Sequence, residues 1–371
     1  GERLTRKPLV SYGRGASPFH PLPPCRPSNV CPSSLSQLLV PTETVGYVLP
    51  LIVFPTITAL TVKYMLAPVQ ASGLVDSLTS QCTSPDASPY ALAYTGYPLL
   101  DNELCKSVAF FHLTLAEPHG FQFFAYFVVT GIPITLFFWL EAMRARKPLL
   151  LAYPTFWLLL GQVATIAVVA NIVCLIFILT GSHLAKRRED AKITRAHAES
   201  FLFGLLVGLV IPSACLLILK DPQVTAIWHI FPIMMSVASG AHLFIRRPSP
   251  NGPSGWPLIQ GTLLVVFMVS SSFHLATMWP YSDNWTAIKT MFLPSLTPLP
   301  SSTPIGLQMF DFLKWDALIA FLPLALTTLW FTEDPMESFA FVTWYAAAIP
   351  FAGPGAAITA MLLWRESNLD Y

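Results

Sequence analysis

Eight long apolar segments dominate this 371-residue chain and limit the folds open to it. A helix of about 20 apolar residues crosses the hydrocarbon core of a bilayer, and each segment reaches that length. The sequence therefore predicts an all-α fold, a polytopic transmembrane helical bundle with about eight membrane-spanning helices. The predicted spans are residues 44–66, 119–141, 151–180, 198–219, 222–245, 257–279, 311–331 and 338–364.

The composition agrees with a membrane protein. Apolar residues make up 54% of the chain and charged residues only 11%, whereas soluble domains carry about a quarter charged residues. The formal net charge is +1, and Lys and Arg are not interleaved with aromatic residues as on nucleic-acid-binding surfaces. We therefore expect membrane lipids and a lipophilic small molecule as partners, no nucleic acid, and no obligate protein partner.

The motifs of soluble enzymes are missing from the sequence. It has no GxSxG elbow, Walker loop, Gly-rich dinucleotide turn or HExxH pair, and no DDxxD motif for magnesium and a diphosphate. No cluster of His, Cys, Asp or Glu has the spacing of metal ligands. The sequence therefore predicts neither a cofactor nor a metal site.

Two stretches outside the spans define the domain organisation. Residues 1–40 are rich in Pro, Ser, Arg and Gly, which is typical of a disordered polar tail. Residues 41–371 are predicted to form one transmembrane helical domain. Within it, residues 67–118 form an extramembrane or re-entrant loop, since the apolar run SVAFFHLTLA is too short to span. Cys82 and Cys105 share this loop and would pair if it faces an oxidising lumen.

The basic residues do not fix the orientation when all eight segments are taken as spans. Arg144 and Lys147 then share a face with the N-terminal tail, while Lys192, Arg195 and Arg246 fall on the opposite face. The positive-inside rule gives conflicting results for this arrangement. The sequon at Asn284 lies on the face of the tail and would make that face lumenal if it is glycosylated.

Asp316 lies about six residues inside the seventh predicted span, where an ionisable group is costly and indicates a functional site. Asp311 and Lys314 are three residues apart on the same helix and are expected to pair, which leaves Asp316 without an obvious partner. Burial disfavours the charged carboxylate, so such a group can stay protonated and act as an acid. The alternative is a helix-terminal acid satisfied by Lys314 or a hydroxyl group.

Two other acids stand at the edges of apolar segments. Glu141 ends the second predicted span three residues before Arg144, so it forms either an interfacial salt bridge or a carboxyl whose ionisation Arg144 controls. Asp101 precedes the short apolar run and is placed to cap its helix. If that helix folds back over a cavity, Asp101 would face the cavity.

Aromatic residues form 13% of the chain, and their ring faces stabilise cations. Trp228, Trp315 and Trp344 are candidate substrate-binding residues, and His229 is a candidate proton acceptor or substrate contact. For each of them the alternative is an ordinary place in the core or in the interfacial aromatic belt.

Five segments have sequences that match a known protein family. They are GYPLLDNELCKSVAFF, LEAMR, FGLLVGLVIPSACLLIL, TAIWHIFPIMMS and FLKWDALIAF, in this order along the chain. Together they resemble fungal integral-membrane terpene cyclases of meroterpenoid biosynthesis, in particular those of the ascochlorin and ascofuranone type, over about residues 90–365. The resemblance implies a metal-independent cyclase that protonates the terminal epoxide of a prenylated phenol and closes rings through a carbocation. It also implies that Glu141, Asp316 and Asp101 are the catalytic acids.

Other functions use a similar set of residues. A sterol-isomerase-like membrane enzyme would protonate an alkene and stabilise the cation with tryptophans. A transporter or receptor would also place isolated acids in helices, but the sequence shows no inverted repeat. The ordered set of segments favours the cyclase, in a multi-pass protein of the endoplasmic reticulum.

Overall fold

The computed structural model describes most of the chain as helices. The described residues are 42–83, 88–145, 147–184, 191–249, 252–332 and 334–369. Among them the structure contains no strand, only one isolated β-bridge between Thr194 and Ser254. The predicted all-α class is confirmed. The predicted disordered tail, residues 1–40, lies outside the described residues.

Seventeen α-helices are numbered here along the described part of the chain. They are α1 Thr42–Thr61, α2 Ala67–Ala71, α3 Leu74–Gln81, α4 Pro98–Ala116, α5 Gly120–Thr130, α6 Ile132–Met143, α7 Pro154–Ala164, α8 Ile166–Leu179, α9 Arg195–Leu205, α10 Ile211–Leu219, α11 Pro222–His229, α12 Phe231–Ile245, α13 Trp256–Met278, α14 Trp285–Phe292, α15 Ile305–Thr327, α16 Pro335–Ala352 and α17 Pro354–Asn368. Short π-helical turns at Val62–Leu66 and Leu206–Val210 join α1 to α2 and α9 to α10.

Five helices in the described residues are long and apolar enough to cross a membrane, and a sixth is added if one bent pair counts as a span. The five are Gly46–Ala71, Gly120–Met143, Arg195–Leu219, Trp256–Tyr281 and Ile305–Phe331. The bent pair is α11 with α12, which meet at 62°. The predicted count of eight is not confirmed, because the segments 151–180 and 338–364 are each broken into two helices.

One end of the bundle carries Arg144, Arg195, Arg246 and Arg365, and we call it the basic end. There Arg144 donates a hydrogen bond to the carbonyl of Ala191, and Arg365 donates one to the carbonyl of Ser182. The amide of Gly255 donates to the carbonyl of Ile193, which brings the start of α13 to the same end. The start of the first span lies here as well, since Trp330, in the short helical turn after α15, donates to the carbonyl of Gly46, and its neighbour Phe331 packs against Arg365.

The opposite end carries the loop before α5, and we call it the disulfide end. Cys82 and Cys105 form a disulfide there, between the residue after α3 and a residue of α4. Tyr281 donates a hydrogen bond to Gln122 near the start of α5, and Lys220 lies over the ring of Phe121. The ends of α10 and α13 therefore lie beside the start of α5.

The segment 154–179 is a helical hairpin. Helices α7 and α8 pack against each other, and the chain before α7 meets the chain after α8 through the Arg144–Ala191 hydrogen bond. Both ends of the hairpin therefore lie at the basic end, and its tip at Thr165 lies inside the bundle. The prediction that Arg144 lies on the opposite face from Lys192 and Arg195 was wrong. It assumed that this segment crosses the membrane once, whereas the segment is a hairpin that returns to the same end.

A second hairpin closes the chain. Helices α16 and α17 pack against each other around Gly353, which has φ +86°. The carbonyl of Pro350 cannot accept the usual helical bond from residue 354, because residue 354 is a proline. His274 of α13 donates to this carbonyl from Nε2 at 3.1 Å, and the hydroxyl of Tyr126 donates to its Nδ1 at 3.0 Å. His274 therefore gives a hydrogen-bond partner to the carbonyl that the helix break would leave unpaired.

Candidate active site

Asp316 of α15 lies at the tip of the first hairpin, in the middle of the bundle. Its carboxylate accepts a hydrogen bond from the amide of Ala167 at 2.8 Å, and the amide of Ile166 and the hydroxyl of Thr165 also interact with it. These groups form the N-terminus of α8, whose first amides have no partner within the helix. The side chain is buried, with 9% of the residue exposed. Asp316 is therefore satisfied by the end of another helix and by the hydroxyl of Thr165, which agrees with the hydroxyl partner of the alternative interpretation, and not by Lys314.

Thr165 has an unusual backbone conformation that makes this contact. Its φ is +83° and its ψ is 143°, a region that β-branched residues rarely occupy. This turn ends α7 and starts α8, and the side chain of Thr165 accepts the amide of Val168 at 3.5 Å. Strain of about 1–3 kcal/mol is typical of such residues and is concentrated at functional sites.

A cavity of about 300 Å³ lies beside Asp316 and Thr165. Seven aromatic side chains contribute to its wall: Phe110, Phe111, Phe124, Phe127, Trp228, Phe231 and Phe312. Trp228 meets the ring of Phe111 edge-on at 5.1 Å and the ring of Phe124 at 5.6 Å, and its indole nitrogen donates to Ser213. The rings are therefore held in fixed orientations around an apolar space.

The cavity also reaches the outer surface of the bundle. Val163, at the end of α7, lines the cavity and is 84% exposed. Since α7 is part of the hairpin that enters from the basic end, this opening lies along the side of the bundle.

His229 lines the same cavity from the end of α11. Its Nδ1 is buried and has no hydrogen-bond partner among the described residues. Buried polar atoms are rarely left unpaired, and those that are call for a ligand, a water or a chemical role. The structure thus brings three of the sequence-predicted residues, Asp316, Trp228 and His229, to one cavity.

Glu141 lies in a buried ion-pair network at the basic end. Its Oε1 accepts hydrogen bonds from Arg144 at 3.0 Å and from Arg365 at 2.5 Å, and Arg144 also pairs with Glu366. Among the described residues, this network joins two guanidinium groups to two carboxylates and ties the end of α6 to the end of α17. Of the two hypotheses for Glu141, the structure shows the salt bridge, and Glu141 does not line the cavity.

Asp101 closes a turn at the start of α4. Its carboxylate accepts the amide and the hydroxyl of Thr95 at 2.6 and 2.8 Å, and the amide of Gly96 at 3.1 Å. Partial loss of hydration raises the pKa of Asp101, but the hydrogen bonds from Thr95 and Gly96 together lower it below its usual value. Asp101 is thus held as a carboxylate, caps the turn before the helix, and does not line the cavity.

The other two predicted tryptophans lie away from the cavity. Trp315 stacks on Tyr64 at 5.3 Å and donates to the carbonyl of Ser295. Trp344 donates to the carbonyl of Ala357 and packs between α16 and α17. Sequence reasoning in turn missed Thr165, because the segment GQVATIAVV contains neither a proline nor a glycine at the break. Within the described residues, no three His, Cys, Asp or Glu side chains come close enough to hold a metal ion.

Comparisons with known proteins agree with the resemblance seen in the sequence. The CtvD domain family matches residues 51–369. The chain is 26% identical over 326 residues to the terpene cyclase ctvD of Aspergillus terreus (strain NIH 2624 / FGSC A1156), a match that covers 80% of this chain and 91% of that protein. No solved structure matches the chain. The resemblance to fungal terpene cyclases is thereby confirmed, and the chain belongs to the CtvD domain family.

Proposed function

We propose that this protein is a membrane-bound terpene cyclase in which Asp316 protonates the terminal epoxide of a prenylated aromatic or polyketide substrate. The observation that carries the proposal is the single buried carboxyl in an aromatic cavity, held by the amide of Ala167 and the hydroxyl of Thr165. The curated relative is named a terpene cyclase, which supports the reaction class. The five long apolar helices support a multi-pass membrane protein, and we place it in the endoplasmic reticulum.

The reaction begins with proton transfer from the carboxyl of Asp316 to the epoxide oxygen. The bond from that oxygen to the more substituted carbon breaks, which leaves a hydroxyl group and a tertiary carbocation. Asp316 becomes a carboxylate, and the amide of Ala167 together with the N-terminal end of α8 stabilises the negative charge. The break at Thr165 thus supplies preorganised donors at the atom where charge develops.

Ring closure follows when the π electrons of an alkene in the prenyl chain attack the cation. The new carbon–carbon bond moves the positive charge along the chain, and the faces of Phe124, Trp228 and the neighbouring rings stabilise it. Loss of a proton to His229 then ends the reaction as an alkene. Its unpartnered nitrogen makes His229 the best-placed base in the cavity. One proton enters and one leaves the substrate, so product and substrate are isomers, and return of the proton from His229 to Asp316 prepares the cavity for the next turnover.

The test is turnover in microsomes of a host that expresses the chain and is fed a farnesylated phenol with a terminal epoxide. Asp316→Asn keeps the shape and removes the acid, and we expect turnover to fall at least about 100-fold. The matched control is Asp334→Asn, since Asp334 also accepts a helix N-terminal amide, that of Met336 at 2.7 Å, but lies outside the cavity. Equal turnover in the wild type and the Asp316 variant would refute the assignment.

A further inference from the structure

A second, smaller cavity of about 150 Å³ lies between the π-helical turn Val62–Leu66 and α15. Its wall includes Lys63, Tyr64, Asp311, Phe312 and Trp315. π-Helical turns are rare and occur frequently at functional sites. Here the turn directs two successive side chains, Lys63 and Tyr64, towards the cavity.

The wall of this second cavity suits a flat ring. Tyr64 and Trp315 are stacked with 5.3 Å between ring centroids and 19° between planes, and Lys63 lies 5.0 Å from the centroid of Tyr64. Asp311 and Ser295 add polar groups at the rim, where the Asp311 carboxylate accepts the amide of Ser295. Because Trp315 already stacks on Tyr64, an aromatic ring would take the place over Tyr64 that the exposed side chain of Lys63 now occupies. A hydroxyl on that ring can donate to the carboxylate of Asp311, whose Oδ1 also pairs with Lys314.

The two cavities meet at one residue of α15. Phe312 and Asp316 are four residues apart and share the helix face on the larger cavity, whereas Asp311 and Trp315 share the adjacent face on the smaller one. Phe312 lines both cavities. Asp316 follows Phe312 by one turn of α15, so it lies about 6 Å farther from the disulfide end than Phe312 does.

We propose that the second cavity binds the hydroxylated aromatic head group of the substrate, with Phe312 at the junction and the prenyl chain in the larger cavity. The proposal rests on the proposed function for the position of the prenyl terminus at Asp316. It places the polar end of the molecule nearer the disulfide end of the bundle and its epoxide deeper. The polar groups of Asp311 and Ser295 in the smaller cavity suit a hydroxylated ring, and the aromatic side chains of the larger cavity suit a prenyl chain.

The first test measures binding and does not depend on catalysis. Purified protein in detergent is titrated with resorcinol, a free dihydroxybenzene, by saturation-transfer NMR, with cyclohexane-1,3-diol as the non-aromatic probe. We expect resorcinol to bind the wild type and to bind Tyr64→Leu about fivefold more weakly, because the ring face is lost. Tyr153→Leu, an exposed tyrosine outside both cavities, is the control. Equal binding by the two variants, or equal binding of the two probes, would overturn the proposal.

The second test compares two epoxides that share the prenyl chain, one carrying a resorcinol ring and one carrying an acetate ester. Tyr64→Leu is expected to raise the KM about fivefold for the ring-bearing substrate alone. Phe127→Leu, in the larger cavity, should impair both substrates alike. If the wild type cyclises neither epoxide but still binds resorcinol through Tyr64, the proposed reaction fails and the ring site stands. If both substrates respond equally to Tyr64→Leu, the ring site fails and the cyclase stands.

Discussion

Replacing Glu141 by glutamine distinguishes its structural role from the catalytic role that the sequence resemblance implies. Among the described residues, the network includes two carboxylates and two guanidinium groups, all buried, with Glu141 and Arg144 at 4% and 3% side-chain exposure. Glutamine removes the negative charge that both Arg144 and Arg365 contact. Removing one partner of a buried ion pair costs about 3–5 kcal/mol, because an uncompensated charge stays buried.

We expect Glu141→Gln to lower the free energy of unfolding by about 3 kcal/mol or more. For a chain of this size the midpoint of thermal unfolding in detergent should fall by on the order of 5 °C. The remaining folded protein should keep its kcat, since Glu141 lies outside the cavity. Both quantities are measured on the same detergent-purified sample, with kcat normalised to the folded fraction.

A double variant makes the test sharper. Arg365→Met in the Glu141→Gln background removes the cation that has lost its carboxylate partner, so the double variant should be more stable than the sum of the two single losses predicts, by about 1 kcal/mol or more. Additive losses would contradict the network. A Glu141→Gln protein with unchanged thermal stability and no turnover would refute the structural account and make Glu141 a catalytic acid.

Two further predictions follow from the hairpin and from the two ends of the bundle. Thr165→Val keeps the branched shape but loses the hydroxyl, and we expect its kcat to fall at least about tenfold. Thr165→Ser keeps a hydroxyl and should retain most of the activity. Equal losses of kcat in the two variants would contradict a role for the hydroxyl. In sealed microsomes a membrane-impermeant maleimide should label Ser249→Cys at the basic end before detergent is added and Ser282→Cys only afterwards, with the parent chain as the labelling control. The reason is that disulfides form in an oxidising lumen and basic residues favour the cytoplasmic face, so the opposite labelling order would reverse the orientation.

Much of the fold could be predicted because bilayer physics acts on each segment separately. Apolar length alone located the helices Gly120–Met143 and Ile305–Phe331, and the loop cysteines Cys82 and Cys105 are paired in the structure. The hairpin 154–179 could not be found in this way, since a helix that enters and returns is as apolar as one that crosses. The second hairpin left a signal in Gly353 followed by proline, which typically ends a helix.

The candidate site shows a similar limit. An acid inside an apolar run indicates a functional group whatever its neighbours, so Asp316 could be singled out from the sequence. The partners of such an acid come from distant parts of the chain: Ala167 is 149 residues away. Glu141 stands at the edge of an apolar segment, and its neighbour Arg144 already indicated a salt bridge, but its second partner Arg365 is 224 residues away. The sequence could therefore indicate one cation beside Glu141, but neither the second cation nor the amides that hold Asp316.

The two hairpin tips together indicate why a threonine stands at position 165. Thr165 and Gly353 have nearly the same backbone conformation, with φ +83° and ψ 143° against φ +86° and ψ 160°. Glycine adopts this conformation at little cost, whereas a β-branched residue is strained by about 1–3 kcal/mol. The turn itself therefore does not require a threonine. Threonine at position 165 adds a hydroxyl group beside the carboxylate of Asp316. The tip at Gly353, which faces His274, has no such hydroxyl group. The strain is thus located at the tip where the side chain meets the acid, as expected if the hydroxyl serves the chemistry.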